Sequence, residues 1–132
     1  MTASLKSLRD IYEESPFFKH FGFEFVEFTE GKVTLKLDVH HALLNTGNIL
    51  HGGVYATLID NIIGLTACSI TNQPLVTVQL NVHFLASVKT GTIYATAKVD
   101  RIGRQLVTGE GEIVDEKGTL LAKGSGTFKQ MN

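Results

Sequence analysis

Several stretches of the chain alternate between apolar and polar residues, as half-buried strands do. Residues 32–39 alternate without a break, with valine and leucine on one side and lysine, threonine and aspartate on the other. Further strands are predicted around residues 21–28, 76–84 and 91–100. Another is predicted to end near Asp115, and the last runs from Thr119 to about Lys129. In the first of these, we expect Phe21, Phe23 and Phe25 on one side and Val26 with Phe28 on the other.

Two segments predict helices instead. Leu5, Leu8, Ile11 and Tyr12 fall at helical spacing, and Pro16 is expected to end that helix. The segment from Gly52 to about Thr71 exceeds strand length and is rich in alanine, leucine and isoleucine without proline. It predicts a helix that is apolar nearly all round and therefore buried.

The predicted order is helix, strand, strand, long helix and four strands, the last three joined by short turns as an antiparallel meander. One buried helix must be covered on most sides, which a strongly curved sheet wrapped around it can do. The fold class is therefore α+β with one central helix.

Composition narrows the functions available. The chain has 132 residues, 43% of them hydrophobic, which fits one domain, and a net charge of −1 that offers no basic field for nucleic acid. The single cysteine, Cys68, excludes an intrachain disulfide and is expected to be a buried, unreactive side chain. The N-terminus resembles an amphipathic helix more than a signal peptide, and polar residues interrupt the long apolar segment. We therefore expect a cytoplasmic protein with no membrane partner.

Asp60 is the anomaly of the long helix, because its neighbours are leucine and isoleucine. A carboxylate among buried apolar residues is costly unless it is paired, solvated or used. Taken alone, it could lie on a wet stripe of the helix or accept a hydrogen bond from a neighbour. Its position nine residues after His51 favours a functional role.

The start of the same helix supplies complementary chemistry. The helix N-terminus offers unpaired N–H groups and a positive dipole end, and Gly52 and Gly53 let a substrate oxygen approach closely. This is a natural oxyanion hole, while the carboxylate, about two turns or ~12 Å along the axis, can act as nucleophile or general base. A thioester lying along this face could reach both groups.

Asn45, His51-Gly52-Gly53 and Asp60 together resemble the signature of the hotdog-fold acyl-CoA thioesterases of the phenylacetate-pathway (PaaI-like) type. The likeness extends roughly from Phe21 to Phe128. It implies one hotdog domain over residues 1–132, with an N-terminal helical extension over 1–20. The implied activity is hydrolysis of an acyl- or aryl-acyl-CoA, with no cofactor because coenzyme A is part of the substrate.

The resemblance also implies roles for individual residues. Asp60 matches the catalytic acid residue, and the Gly52 amide matches the oxyanion donor. His51 matches the residue that orients the loop and the thioester. Asn45 matches an asparagine that positions water or carbonyl, and Thr77 matches a hydroxyl residue that aids the water in some members.

One position departs from the pattern of many members. Gly47 comes one place early, and Asn48 occupies the usual glycine position. Asparagine tolerates the left-handed backbone conformation better than most residues, so the turn is expected to survive.

The strand that contains Thr77 has one apolar face, expected to pack on the helix, and one polar face. The polar face of this presumed central strand carries Thr77, Gln79, Asn81 and His83. It is either solvated or part of a subunit interface near the active site. The resemblance implies the interface, with hotdog subunits paired through sheet edges as a dimer or a homotetramer, Asp60 from one subunit and the Gly52 amide from the other.

Other polar residues are candidates for substrate binding. Arg101 and Arg104 flank a turn and are either solvated or close to the CoA phosphates, with Lys89 and Lys123 as weaker candidates. His40, His41 and His51 lack metal-ligand spacing, so no metal is expected. The full set of expected substrate-binding residues is Gly53, Asn61, Gln79, Asn81, Arg101 and Arg104.

Two other functions remain open on the sequence. A hydratase or dehydratase would share the fold and act on acyl thioesters, but such enzymes typically pair a histidine with an acid at different positions. A non-catalytic acyl-CoA-binding module usually accompanies a DNA-binding region, for which the short N-terminal segment offers no basic helix.

Overall fold

The computed structural model describes residues 3–131 and contains three α-helices and six strands within them. The helices are α1 (Ala3–Glu14), α2 (Pro16–Phe21) and α3 (Gly52–Thr71). The strands are β1 (Glu24–Thr29), β2 (Lys32–Asp38), β3 (Leu75–Phe84), β4 (Thr92–Ile102), β5 (Leu106–Asp115) and β6 (Leu120–Gln130). The predicted long helix and the order of the elements after it are confirmed.

Pro16 does more than end the first helix. It is the first residue of α2, a position where its missing N–H costs nothing. The Ser15 hydroxyl oxygen caps this helix by accepting a hydrogen bond from the Phe18 N–H at 3.4 Å. The predicted end of the first helix at Pro16 is confirmed, but the second helix, which begins at this proline, was not predicted.

The six strands form one antiparallel sheet in the order β1-β2-β4-β5-β6-β3. The predicted meander of the last three strands is confirmed, since β5 pairs with both β4 and β6. Among the described residues, β3 pairs only with β6 and lies at the edge of the sheet. The prediction that β3 is a central strand is wrong, because β3 begins at Leu75, soon after α3 ends at Thr71, and pairs with the last strand, β6.

The sheet curves around α3, and the core lies between them. Leu58, Ile59, Ile62 and Ile63 of α3 are fully buried against the inner face of the sheet. A Cβ at Gly109 would lie 2.9 Å from Ile63 Cγ2, so the absence of a side chain there lets the sheet approach the helix. By length and hydropathy alone α3 could also cross a membrane, but most of it is enclosed by this sheet.

A β-bulge in β1 changes which side chains face the core. The pairing with β2 skips Val26, so Phe25 and Phe28 face the same side and their rings lie 5.1 Å apart. Phe28 is buried, whereas Val26 is exposed. The prediction that Val26 and Phe28 share one side is therefore wrong.

Candidate active site

Asp60 lies on a stripe of α3 that remains partly exposed. The half-buried residues of this open stripe are Ala56, Thr57, Asp60, Asn61 and Gly64. Asp60 Oδ1 accepts a hydrogen bond from the Thr77 hydroxyl at 2.7 Å. Asp60 Oδ2 has no protein partner within residues 3–131. One oxygen is thus held in place while the other is available to water or substrate.

Thr77 reaches Asp60 because β3 contains a β-bulge. Thr77 pairs with Phe128 and Gln79 with Thr127, which leaves Val78 as an extra residue. The bulge turns Thr77 towards α3 instead of leaving it on the side of Gln79. The prediction that Thr77 shares a face with Gln79 and Asn81 is therefore wrong, although its proximity to Asp60 agrees with the role implied for it.

Gln79 and Asn81 lie on the outer face of the sheet, away from α3. Asn81 and His83 line a shallow polar depression of about 610 Å³ together with charged residues of β4, β5 and β6. Within one chain, these side chains do not converge on Asp60. Asn61, by contrast, lies next to Asp60 on the open stripe.

The start of α3 has one free backbone donor. His51 is the N-cap residue, and its Nδ1 accepts a hydrogen bond from the Gly53 N–H at 2.9 Å. The Gly53 N–H is therefore engaged and does not face a ligand. Within the described residues the Gly52 N–H makes no hydrogen bond, so it is free to donate one to a ligand.

The loop before α3 is shaped by Asn45. Its Oδ1 accepts hydrogen bonds from the Gly47 N–H at 2.8 Å and the Ile49 N–H at 3.3 Å. Asn48 has φ 61°, so the expected left-handed asparagine at this position is confirmed. The side-chain carbonyl of Asn45 thus holds the turn, and its amide group remains for a ligand.

A cleft of about 350 Å³ opens beside Gly52. Its lining residues include Asn45, Gly52, Tyr55 and Phe84. The Phe84 ring lies 3.3 Å from the position of a Cβ on Gly52, so a side chain there would crowd the ring. Phe84 and Tyr55 were not predicted as site residues, because alternation places an aromatic residue on a face but does not show that it borders a cleft.

Arg101 and Arg104 are exposed at the turn between β4 and β5. The carbonyl of Gln105 in this turn accepts a hydrogen bond from the Gln130 N–H at 2.7 Å. The next residue, Met131, donates its N–H to the Pro74 carbonyl at 2.9 Å, just beyond α3. The two arginines therefore lie at the end of the sheet where α3 ends, far from Gly52 of the same chain.

Cys68 is buried on α3, and its thiol contacts the Gln73 carbonyl at 3.4 Å. Burial raises its pKa to about 11. Because the thiolate is the reactive form of cysteine, this residue has no nucleophilic role near neutral pH.

Residues 47–122, more than half of the chain, match the family model of the thioesterase superfamily. The chain is 30% identical to acyl-coenzyme A thioesterase 13 of Pongo abelii, over 96% of each chain. The structure of zebra fish thioesterase superfamily member 2 superimposes with a TM-score of 0.87 at 28% identity, over 98% of this chain and 100% of that one. The E. coli PaaI protein from the phenylacetic acid degradation operon has the same fold, with a TM-score of 0.90 at 23% identity over 98% and 94% of the chains.

The chain therefore belongs to the thioesterase superfamily. It is a thioester hydrolase with the hotdog fold, a curved antiparallel sheet around one long helix, and PaaI proteins are among its structural neighbours.

Proposed function

We propose that the protein hydrolyses an acyl-CoA or aryl-acyl-CoA thioester to the free acid and coenzyme A. The observation that carries this proposal is the Asp60 carboxylate, with Oδ1 held by Thr77 and Oδ2 free on the open stripe of α3. The relationship to acyl-coenzyme A thioesterase 13 supports coenzyme A as the thiol of the substrate.

In this reaction, Asp60 Oδ2 takes a proton from water while the water oxygen bonds to the thioester carbonyl carbon. The Gly52 N–H stabilises the negative charge that develops on the carbonyl oxygen. The C–S bond then breaks, and the proton passes from Asp60 to the leaving thiolate. Direct attack by Asp60, with an anhydride hydrolysed in a second step, uses the same groups.

The two groups that act on the carbonyl come from different subunits in this proposal. Gly52 and Asp60 of one chain are eight residues apart on α3, or ~12 Å along its axis, whereas both must lie about 3 Å from the reacting atoms. β3 leaves one edge without a partner strand within residues 3–131. We propose that a second copy pairs along this edge, as a dimer or a dimer of dimers, and places its Gly52 near Asp60.

The direct test is the release of free thiol from a panel of acyl-CoAs by the purified protein. Asp60→Asn and Asp60→Ala should lower kcat by about 100-fold or more, because each removes the base or nucleophile. Asp100→Asn is a matched control, since Asp100 is an exposed aspartate paired with Lys98 at 3.8 Å on the other side of the sheet. Full activity in Asp60→Ala would contradict the mechanism.

A further inference from the structure

Phe84, the last residue of β3, is a large apolar side chain that the core leaves uncovered. Its ring is 56% exposed, and Leu85, which follows it, is 50% exposed. The chain leaves the sheet at this point, because the N–H groups of Leu85 and Ala86 both donate to the Leu121 carbonyl, at 2.8 and 3.0 Å. The Phe84 ring therefore borders the cleft beside Gly52 at the point where the strand ends.

The walls of this cleft are joined to each other by hydrogen bonds. The Leu50 N–H donates to the Val88 carbonyl at 2.8 Å, which connects the loop before α3 to the segment after β3. The Tyr55 hydroxyl donates to the Ala86 carbonyl at 3.0 Å and connects α3 to the same segment. These two bonds fix the walls of the cleft relative to each other.

The Phe84 ring lies close to the Gly52 N–H, the donor that the proposed function assigns to the thioester carbonyl. A Cβ on Gly52, two bonds from the amide nitrogen, would lie 3.3 Å from Phe84 Cε1 and 3.7 Å from Cζ. An oxygen that accepts from this N–H lies ~2.9 Å from the nitrogen, and its carbonyl carbon is about 1.2 Å from that oxygen. The first carbons of a bound thioester therefore come within contact distance of the ring.

Two arms extend from a thioester carbonyl, and the chemistry of the cleft distinguishes between them. The thiol arm of coenzyme A carries amides and phosphates, whose burial without polar partners is unfavourable. The cleft has apolar walls from Ile49, Leu50 and Leu85 besides Phe84, and the Tyr55 hydroxyl is already engaged. A hydrocarbon arm is stabilised against such walls, because burial of each methylene is favourable.

We propose that Phe84 is a specificity-determining residue whose exposed ring contacts the carbons of the acyl group next to the thioester carbonyl. The inference rests on the proposed function, because it takes the Gly52 N–H as the donor to the carbonyl oxygen. An acetyl group has one carbon beyond the carbonyl and gains little from the ring, whereas a hexanoyl group gains more. Phe84 thus favours medium-length acyl groups over acetyl.

The test measures kcat/KM for acetyl-, butyryl- and hexanoyl-CoA, together with the inhibition constant of free coenzyme A. In Phe84→Ala the ratio of kcat/KM for hexanoyl- over acetyl-CoA should fall about 10-fold, because the longer chain loses its contact with the ring. The inhibition constant of coenzyme A should stay within a few-fold of wild type, because the thiol arm does not touch the ring.

Phe17→Ala is the matched control. The Phe17 ring is 57% exposed, as much as that of Phe84, but it lies on α2, which packs beside β1 at the opposite edge of the sheet. This variant should keep the wild-type ratio. Circular dichroism and light scattering check the fold and the oligomeric state, and Phe84→Val replaces the alanine variant if that one does not fold.

Three results in a folded variant would overturn the role of Phe84 and leave the proposed function intact. An unchanged ratio would mean that the acyl group does not touch the ring. A raised ratio would mean that the ring obstructs longer chains. An equal fall for every acyl-CoA would mean that the ring contacts the thiol arm or another subunit, which the inhibition constant and light scattering distinguish. A wild-type protein that hydrolyses no acyl-CoA overturns the proposed function and this inference with it.

Discussion

Among single residues of the site, Thr77 can be tested by a substitution that removes its hydrogen bond to Asp60 and changes little else. The hydroxyl is 2.7 Å from Oδ1 and fixes the direction of the carboxylate. Thr77→Val keeps the shape and removes the donor, which should lower kcat about 10-fold, since a hydrogen bond to a charged group contributes roughly 1.5 kcal/mol. Steady-state kinetics on one acyl-CoA measure the effect.

Thr77→Ser is the matched control, because it keeps the hydroxyl and removes only the methyl group. It should retain activity within a few-fold of wild type. Equal losses in the valine and serine variants would mean that Thr77 acts through packing and not through its hydroxyl.

The sequence indicates which residues belong to the site better than it indicates where their side chains point. Asp60 and the two glycines stand out because a charge in an apolar helix and a side-chain-free helix start are visible in the sequence itself. The face of the sheet on which Thr77 lies is not visible in the sequence. The bulge at Val78 inserts one residue into a regular alternation, so the β3 residues before it lie on the opposite face from the one that alternation predicts. The same limit applies to Phe28 after the bulge at Val26.

At the scale of elements, the close approach of the sheet to α3 depends on glycine in β5. A Cβ at Gly109 would lie 2.9 Å from Ile63 Cγ2 and 3.0 Å from the Lys98 carbonyl oxygen, so neighbouring backbone must move. Gly109→Ala should therefore lower the free energy of unfolding by about 1–3 kcal/mol. Urea unfolding at a fixed protein concentration measures it.

Gly64→Ala is the control, because it makes the same substitution at a position where a methyl group can be accommodated. Its Cβ would lie 3.4 Å from the Phe128 ring, an ordinary contact, and alanine in a helix interior is roughly 1 kcal/mol more favourable than glycine. This variant should unfold at the same or a higher urea concentration. If Gly109→Ala were as stable as Gly64→Ala, the close packing of β5 against α3 would not depend on a glycine at position 109.

The elements themselves were largely predictable, because period and length carry most of their signal. The uninterrupted alternation over residues 32–39 and the long apolar run from Gly52 correspond to β2 and α3. The position of β3 at the sheet edge was not predictable, because alternation indicates a half-buried strand but does not show which strands pair with it. The start of α2 at Pro16 escaped for a related reason, since proline both ends and begins helices.

For the whole molecule, we expect that one chain alone cannot form a complete site. Gly52→Pro removes the proposed oxyanion donor and adds a ring whose Cβ lies 3.3 Å from the Phe84 ring, which has to shift slightly. Gly52 is the first residue of α3, where proline is favoured, and His51 before it is already extended at φ −63° and ψ 137°. This chain keeps Asp60, and an Asp60→Asn chain keeps the Gly52 N–H, so each lacks a different half of the site.

A site shared between subunits is tested by coexpressing Gly52→Pro and Asp60→Asn chains with different affinity tags and assaying the purified hybrid. If the site is shared, one of the two sites in each hybrid dimer combines an intact Asp60 with an intact Gly52 N–H. Thiol release should then recover to about half of the wild-type rate per dimer, while each parent variant alone stays nearly inactive. A hybrid no more active than its parents would contradict a site built from Asp60 of one subunit and Gly52 of the other.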